Sequence, residues 1–234
     1  MSKVILVTGS NTGIGFDLVR VLAEKGHTVY LSARNEAAGK EAQAKLKADG
    51  LNVNFVRMDV TDYDSITAAK ALIEEAEGKL DVLVNNAGIA VINDTVVDVS
   101  MDVVRRIFDT NFFGLVQVTT AFIPLLRASE EGVIVNVSSE LGSNGSQAQN
   151  YLGYPVYAAS KAAVNSYTIA LARELKKDGI KANVVTPGYT ATKLNNFQGT
   201  QTIREGTEVV LKWVLLDKDG PTGQFGALEG LYPW

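Results

Sequence analysis

Tyr157 and Lys161 stand four residues apart in the stretch YAASK, at the start of a run whose pattern predicts a helix. Residues at that spacing share one helical face, so a phenol and an ammonium would look into one site, with Ala158 and Ala159 too small to intervene. A neighbouring cation favours phenolate and lowers the ordinary phenol pKa of about 10, which makes tyrosine a usable acid near neutral pH. The pattern recurs as YTATK, Tyr189 to Lys193, but that copy follows Pro187-Gly188 in a Thr-rich stretch where helical stacking is not expected. The first copy is preferred. Ser138 and Ser139 follow the apolar run GVIVNV, at the carboxyl end of a strand. His27 is the sole histidine, so a serine nucleophile has no evident base, and a hydrogen bond to a polarised carbonyl suits these serines better than acyl transfer. His27 itself sits in a tight helix-to-strand link and reads as a connector.

The stretch TGSNTGIG, residues 8 to 15, lies between the apolar run KVILV and the amphipathic FDLVRVLAEKG. A strand that turns directly into a helix leaves backbone N–H groups unpaired at the helix start, and glycine removes the Cβ atoms that would keep a ligand away. Such a turn can hold a phosphate. The glycines Gly9, Gly13 and Gly15 are spaced G-x-x-x-G-x-G, which departs from the G-x-G-x-x-G dinucleotide fingerprint. The second strand run ends Ser32, Ala33, Arg34, with no carboxylate for a ribose 2′-hydroxyl. A guanidinium there suits a 2′-phosphate, although a solvated arginine at a strand end would look the same.

These residues need elements to position them, and the chain supplies an alternating pattern. Six short apolar, β-branched runs (KVILVT, TVYLS, NVNFVRM, LDVLVNN, GVIVNVS and IKANVVT) are separated by helical patterns, the longest over residues 100–129, and a last helix and a short final strand close the chain. That alternation predicts parallel strands with crossover helices, and strands apolar on both faces predict a three-layer, doubly wound α/β fold of one domain over 1–234. The polar loops at 138–155 and 186–201 both follow strands, so they should face the same crevice as the glycine turn.

Bulk properties narrow the function classes. The chain has 234 residues, 46% of them hydrophobic, a net charge of −4 and no cysteine. Disulfides and thiolate metal sites are excluded, and the acidic balance without a basic run argues against nucleic acid as a partner. The N-terminus lacks a signal-peptide pattern, and no apolar run reaches the roughly 18 residues of a membrane span, so a cytoplasmic protein is expected.

Taken in order, TGSNTGIG, DVTD (59–62), NNAG (85–88), Asn111 in DTNFFG, VNVSSELG, YAASK and PGYTAT resemble the short-chain dehydrogenase/reductase family over nearly the whole chain. The resemblance implies a Rossmann domain in which Tyr157 is the general acid/base and Lys161 lowers its pKa while holding the nicotinamide ribose. It selects Ser139 over Ser138, because the family's serine is followed by two residues and a glycine. Asn111 would link the lysine to a water relay. The resemblance assigns Gly9, Asn11, Thr12, Gly13, Ile14 and Gly15 to the cofactor. Asp59 and Val60 would meet its adenine, and Asn85, Ala87 and Gly88 its ribose. Pro187, Gly188, Thr190 and Thr192 would meet its nicotinamide end.

SARN, residues 32–35, echoes the NADPH-dependent carbonyl reductases of the family. Many NADPH-using members carry Lys or Arg before the second motif glycine, where this chain has Thr12, so the 2′-phosphate would lean mostly on Arg34. The implied activity is hydride transfer between NADP(H) and a small-molecule carbonyl or secondary alcohol, with Tyr151, Leu152 and Tyr154 lining the substrate or packing on a neighbouring loop. A non-catalytic NADP(H)-binding sensor is the rival, and it would have no need of the full Asn111, Ser139, Tyr157 and Lys161 set. A sugar epimerase is disfavoured by the short C-terminal region. The resemblance also allows a homodimer or homotetramer built on the two long helices.

Overall fold

The computed structural model describes residues 2–91, 95–149 and 153–234. β1 (Val4–Val7) runs through the glycine turn into α1 (Gly13–Glu24), followed by β2 (Thr28–Ala33), α2 (Glu36–Ala48), β3 (Asn54–Arg57), α3 (Tyr63–Glu77) and β4 (Val82–Asn85). The second half brings α4 (Met101–Phe108), α5 (Gly114–Arg127), β5 (Val133–Val137), α6 (Asn144–Gln149), α7 (Pro155–Glu174), β6 (Lys181–Val185), α8 (Ile203–Val214), β7 (Phe225–Ala227) and β8 (Gly230–Leu231). The strands form one sheet in the order β3-β2-β1-β4-β5-β6-β7-β8, parallel except for β8, which turns back on β7. Strand order reverses between β1 and β4, which opens the ligand crevice of a doubly wound fold above their carboxyl ends.

Strand alternation explains the two cores. Ile5 and Val7 of β1 point to one face, where they meet Leu18 and Leu22 of α1 and Val209 and Trp213 of α8. Leu6 points to the other, with Leu83, Ile134 and Phe122 of α5. Both faces are therefore apolar and covered, as the continuous runs require. Phe122 is fully buried, and truncating it to alanine should cost about 3–5 kcal/mol.

One expected helix is interrupted. The pattern over residues 100–129 resolves into α4, a π-helical turn at Asp109–Phe113, and α5. Inside that turn Asn111 is held sideways, its Oδ1 accepting from Ile89 N at 2.8 Å and its Nδ2 donating to Ile89 O at 2.9 Å. Such π-bulges recur at functional sites. The loop expected at 138–155 also contains order of its own, a 3₁₀ turn at Glu140–Gly142 and the short α6.

Candidate active site

The three glycines of the opening turn divide their labour. A Cβ on Gly9, whose φ is +59°, would stand 2.8 Å from Ala87 Cα, and one on Gly15 would stand 2.5 Å from Asn86 Nδ2. These two let β1, β4 and α1 approach one another. A Cβ on Gly13, at φ +62°, would meet only Thr192, whose Cγ2 lies at an ordinary contact distance of 3.8 Å. Thr12 at the N-cap of α1 makes no side-chain cap and no acidic residue lies in the first turn, whereas Asn35, Asp62 and Thr202 cap α2, α3 and α8. The positive end of α1 is thus left free for an anion. A Cβ-free cradle at an uncapped helix start, with Arg34 beside it on the cleft wall, fits the phosphates of NADP(H).

That cradle is one end of a cleft of about 610 Å³. Its walls bring together Gly9, Asn11, Thr12, Gly13, Ile14, Gly15, Arg34, Asp59, Val60, Ala87, Gly88, Ser139, Tyr157, Lys161, Pro187, Gly188, Thr190 and Thr192. The long separations in sequence collapse because most of these residues sit at the carboxyl end of a strand or in the loop after it, and α7 brings Tyr157 and Lys161 back to the end of β5. Asp59 is fixed in its loop by accepting from Thr61 N and Thr61 Oγ1 at 3.0 and 2.8 Å.

At the far end, α7 begins at Pro155, and Tyr157 and Lys161 lie on its inner face, 8% and 3% exposed. The Lys161 ammonium is 5.6 Å from the Tyr157 ring centre and donates to Val137 O of β5 at 2.8 Å. Burial pushes the Tyr157 phenol up to about 12, with a hydrogen bond from Ser139 pulling the other way. Burial also brings Lys161 down to about 8. Burial outweighs the lowering of the phenol by the lysine that spacing leads one to expect, so the group stands above its ordinary range. Desolvation opposes both charges here, and the ammonium is engaged by a backbone carbonyl. Ser138 is tied away from the cleft centre, donating to Asn165 Oδ1 at 2.7 Å, which leaves Ser139 as the serine facing the phenol.

One assignment moves. Asn85 does not line the cleft; its Nδ2 donates to Thr119 Oγ1 and Asn136 Oδ1 at 2.9 and 2.8 Å within the core. Strand parity puts it on the same side as Leu83, and the cleft position falls to Asn86. Asn86 Nδ2 donates to Thr8 O and Gly9 O at 2.8 and 3.1 Å, so it ties the end of β4 to the glycine turn. Counting alternate residues back from NNAG would have found it. Asn111 stands behind the cleft wall, buried and engaged with Ile89 and with Ser160 Oγ at 3.1 Å. Ser160 Oγ in turn donates to Tyr157 O at 2.7 Å, which makes Asn111 a clasp on the turn of α7 that carries the tyrosine. Leu141, Tyr154 and Tyr189 also line the cleft, whereas Tyr151 and Leu152 lie outside the described residues. His27 accepts from Lys3 N at 3.1 Å between α1 and β2, as a connector should.

Comparison with known proteins identifies the family and the fold. The family model described as short chain dehydrogenase matches residues 3–202. NADPH carbonyl reductase 3 of Mus musculus is 34% identical over 278 aligned positions, covering 100% of this chain and 99% of the relative. (−)-Isopiperitenone reductase of Mentha piperita is 32% identical, with 96% of each chain covered. Among solved structures, the NADPH-bound carbonyl reductase from chicken fatty liver superposes with a TM-score of 0.89 at 28% identity, covering 100% of this chain and 99% of that one.

Proposed function

The chain belongs to the short-chain dehydrogenase/reductase family, and from that premise we propose how its own residues carry NADPH-dependent reduction of a ketone or aldehyde. The observation that carries the reading is the meeting of Ser139, Tyr157 and Lys161 with the open Gly13 cradle in one cleft. Bound NADPH supplies hydride to the carbonyl carbon. The residues of the chain manage the oxygen and its proton. The hydroxyls of Ser139 and Tyr157 hold the carbonyl oxygen, and the raised pKa of Tyr157 keeps its proton in place at neutral pH until charge develops on that oxygen. As Tyr157 gives up the proton, the ammonium of Lys161 stabilises the phenolate through the low-dielectric wall. Asn111, acting through Ser160, holds the first turn of α7 in register.

Tyr154, Tyr189 and Leu141 give the substrate end an aromatic and aliphatic lining, which supports a modest ketone or aldehyde with an apolar flank. Among the described residues no helix is long and apolar enough to cross a membrane. A cytoplasmic setting and self-association through the outer faces of α5 and α7 belong to the same proposal, and light scattering tests the second. The central test is NADPH oxidation against a panel of ketones, aldehydes and quinones. Turnover that disappears in Tyr157→Phe is expected. Tight NADPH binding with no turnover on any member would favour the sensor instead.

A further inference from the structure

Arg34 alone is a thin match for a 2′-phosphate. A phosphate monoester carries about −1.5 to −2 charge near neutral pH, and position 12, beside the cradle, is a neutral threonine. Among the described residues lining the cleft, the cations are Arg34, Lys161 and Lys193. Lys161 is committed to the other end, buried beside Tyr157 and bonded to Val137 O. Lys193 is exposed, and among the described residues its ammonium makes no ion pair or hydrogen bond.

Three observations place Lys193 near the adenosine end. Its neighbour Thr192 is the nearest side chain above Gly13, so the loop after β6 crosses directly over the α1 cradle. Its charge also reaches α2, where the Glu41 carboxyl is held below its ordinary range first by the hydrogen bond from Lys45 and in smaller part by Lys193. Finally, α2 begins two residues after Arg34, with Asn35 as its cap. Lys193 and Arg34 thus line the same cleft, with Lys193 next to the side chain nearest Gly13 and its charge felt at Glu41 of α2. The backbone that carries it is pinned. Thr192 N donates to Asn195 Oδ1 at 3.1 Å, and Asn195 Nδ2, on a buried side chain, donates to Thr190 O at 2.9 Å.

We propose that Lys193, the lysine of the second Y-x-x-x-K copy, is the second cation for the 2′-phosphate of NADP(H), reaching across from the substrate-side loop to complete the site that Thr12 leaves half charged. The inference rests on NADP(H) as the cofactor and on Arg34 at its adenosine end. It makes one loop border the substrate at Tyr189 and hold the cofactor at Lys193.

The test is equilibrium binding by calorimetry of NADPH, NADH and 2′,5′-ADP to the full chain and to Lys193→Gln, Lys193→Arg and Arg34→Ala. Lys193→Gln should weaken NADPH and 2′,5′-ADP by about five- to tenfold and leave NADH within about twofold, while Lys193→Arg keeps most of the affinity. Because Lys193 is exposed, the melting temperature without ligand should not move, which separates lost binding from lost folding. An equal loss for NADH and NADPH would assign the lysine to the pyrophosphate and overturn the proposal, as would no loss for either. A wild type that binds NADH as tightly as NADPH would instead overturn the underlying cofactor reading.

Discussion

The chain writes Y-x-x-x-K twice, and the structure sets the two copies in different surroundings. In Tyr157–Lys161 the motif lies on the first turns of α7, packed beneath the end of β5, with both side chains almost wholly buried. In Tyr189–Lys193 it lies in the loop after β6, where Thr190 bridges Gln201 in extended backbone, and Tyr189 is 44% exposed. A helix stacks positions four apart on one face; an extended segment carries them well apart. The spacing is the same, yet only the helical copy puts its ammonium near its own ring, with burial acting on both charges. A motif's chemistry belongs to the element that carries it.

The sharpest way to break this comparison is Tyr157→Phe. Removing the proton donor and little else should lower kcat by about a thousandfold while leaving the dissociation constant for NADPH nearly unchanged. Steady-state kinetics beside a binding titration checks both halves. A variant with near wild-type kcat would remove the helical copy from the chemistry.

Lys161→Met should come next, with kcat down by about a hundredfold and NADPH bound more weakly, since the proposal has one ammonium serve both the phenol and the cofactor ribose. A loss confined to kcat would contradict the second role. Burial brings Lys161 to about 8 from 10.5, so the ammonium is present below that pH and is lost as pH rises through it. NADPH affinity should fall across that range in wild type and stay flat in Lys161→Met. The stability effect has the opposite sign. Between about 8 and 10.5 the unfolded lysine binds more protons than the folded one, so folding stability should rise with pH over this window, and that contribution should vanish in Lys161→Met. Chemical denaturation at a series of pH values reads it directly.

The cofactor end offers a third, smaller effect. Ala33→Asp with Arg34→Ala places a carboxylate at the end of β2 and removes a guanidinium, which should weaken NADPH by about ten- to a hundredfold and swing preference towards NADH. The change should appear in KM for each cofactor more than in kcat, because the 2′ position lies far from the reacting carbon. If the double variant keeps its NADPH preference, Arg34 is a solvated strand-end residue.

Much of this architecture was legible because strand parity and the strand-to-helix alternation are local properties of the sequence. The apolar runs predict a doubly wound sheet, and the sheet in turn predicts that Gly13, Ser139, Tyr157 and Thr192 converge. What was not legible depends on contacts between distant segments. Gly9 and Gly15 read as phosphate-cradling glycines until Ala87 and Asn86 are seen against them. The motif points Asn85 at the cleft, whereas strand parity turns it into the core beside Leu83. The π turn at Asn111 is set by Ile89, some twenty residues earlier, so helical periodicity alone cannot show it. The raised Tyr157 pKa reflects burial, which spacing does not report.

The smallest effect is the most discriminating for the comparison itself. Tyr189→Phe removes a hydroxyl from the loop copy while keeping the ring on the cleft wall, and among the described residues that hydroxyl makes no hydrogen bond. It should change kcat by less than about twofold, since a general acid contributes a hundredfold or more only where it meets the reacting oxygen. Tyr189→Ala removes the wall as well, so it should raise KM for bulky carbonyls with little change in kcat, a split that marks lost binding and not lost proton transfer. Measured on one substrate beside Tyr157→Phe, the order of damage to kcat should be Tyr157→Phe far above Tyr189→Ala, with Tyr189→Phe last. A reversed order would transfer the acid to the loop copy. If Tyr189→Phe and Tyr157→Phe were equally harmless, the proton would have to come from a group other than either tyrosine, and the helical stacking of the first copy would be structural only.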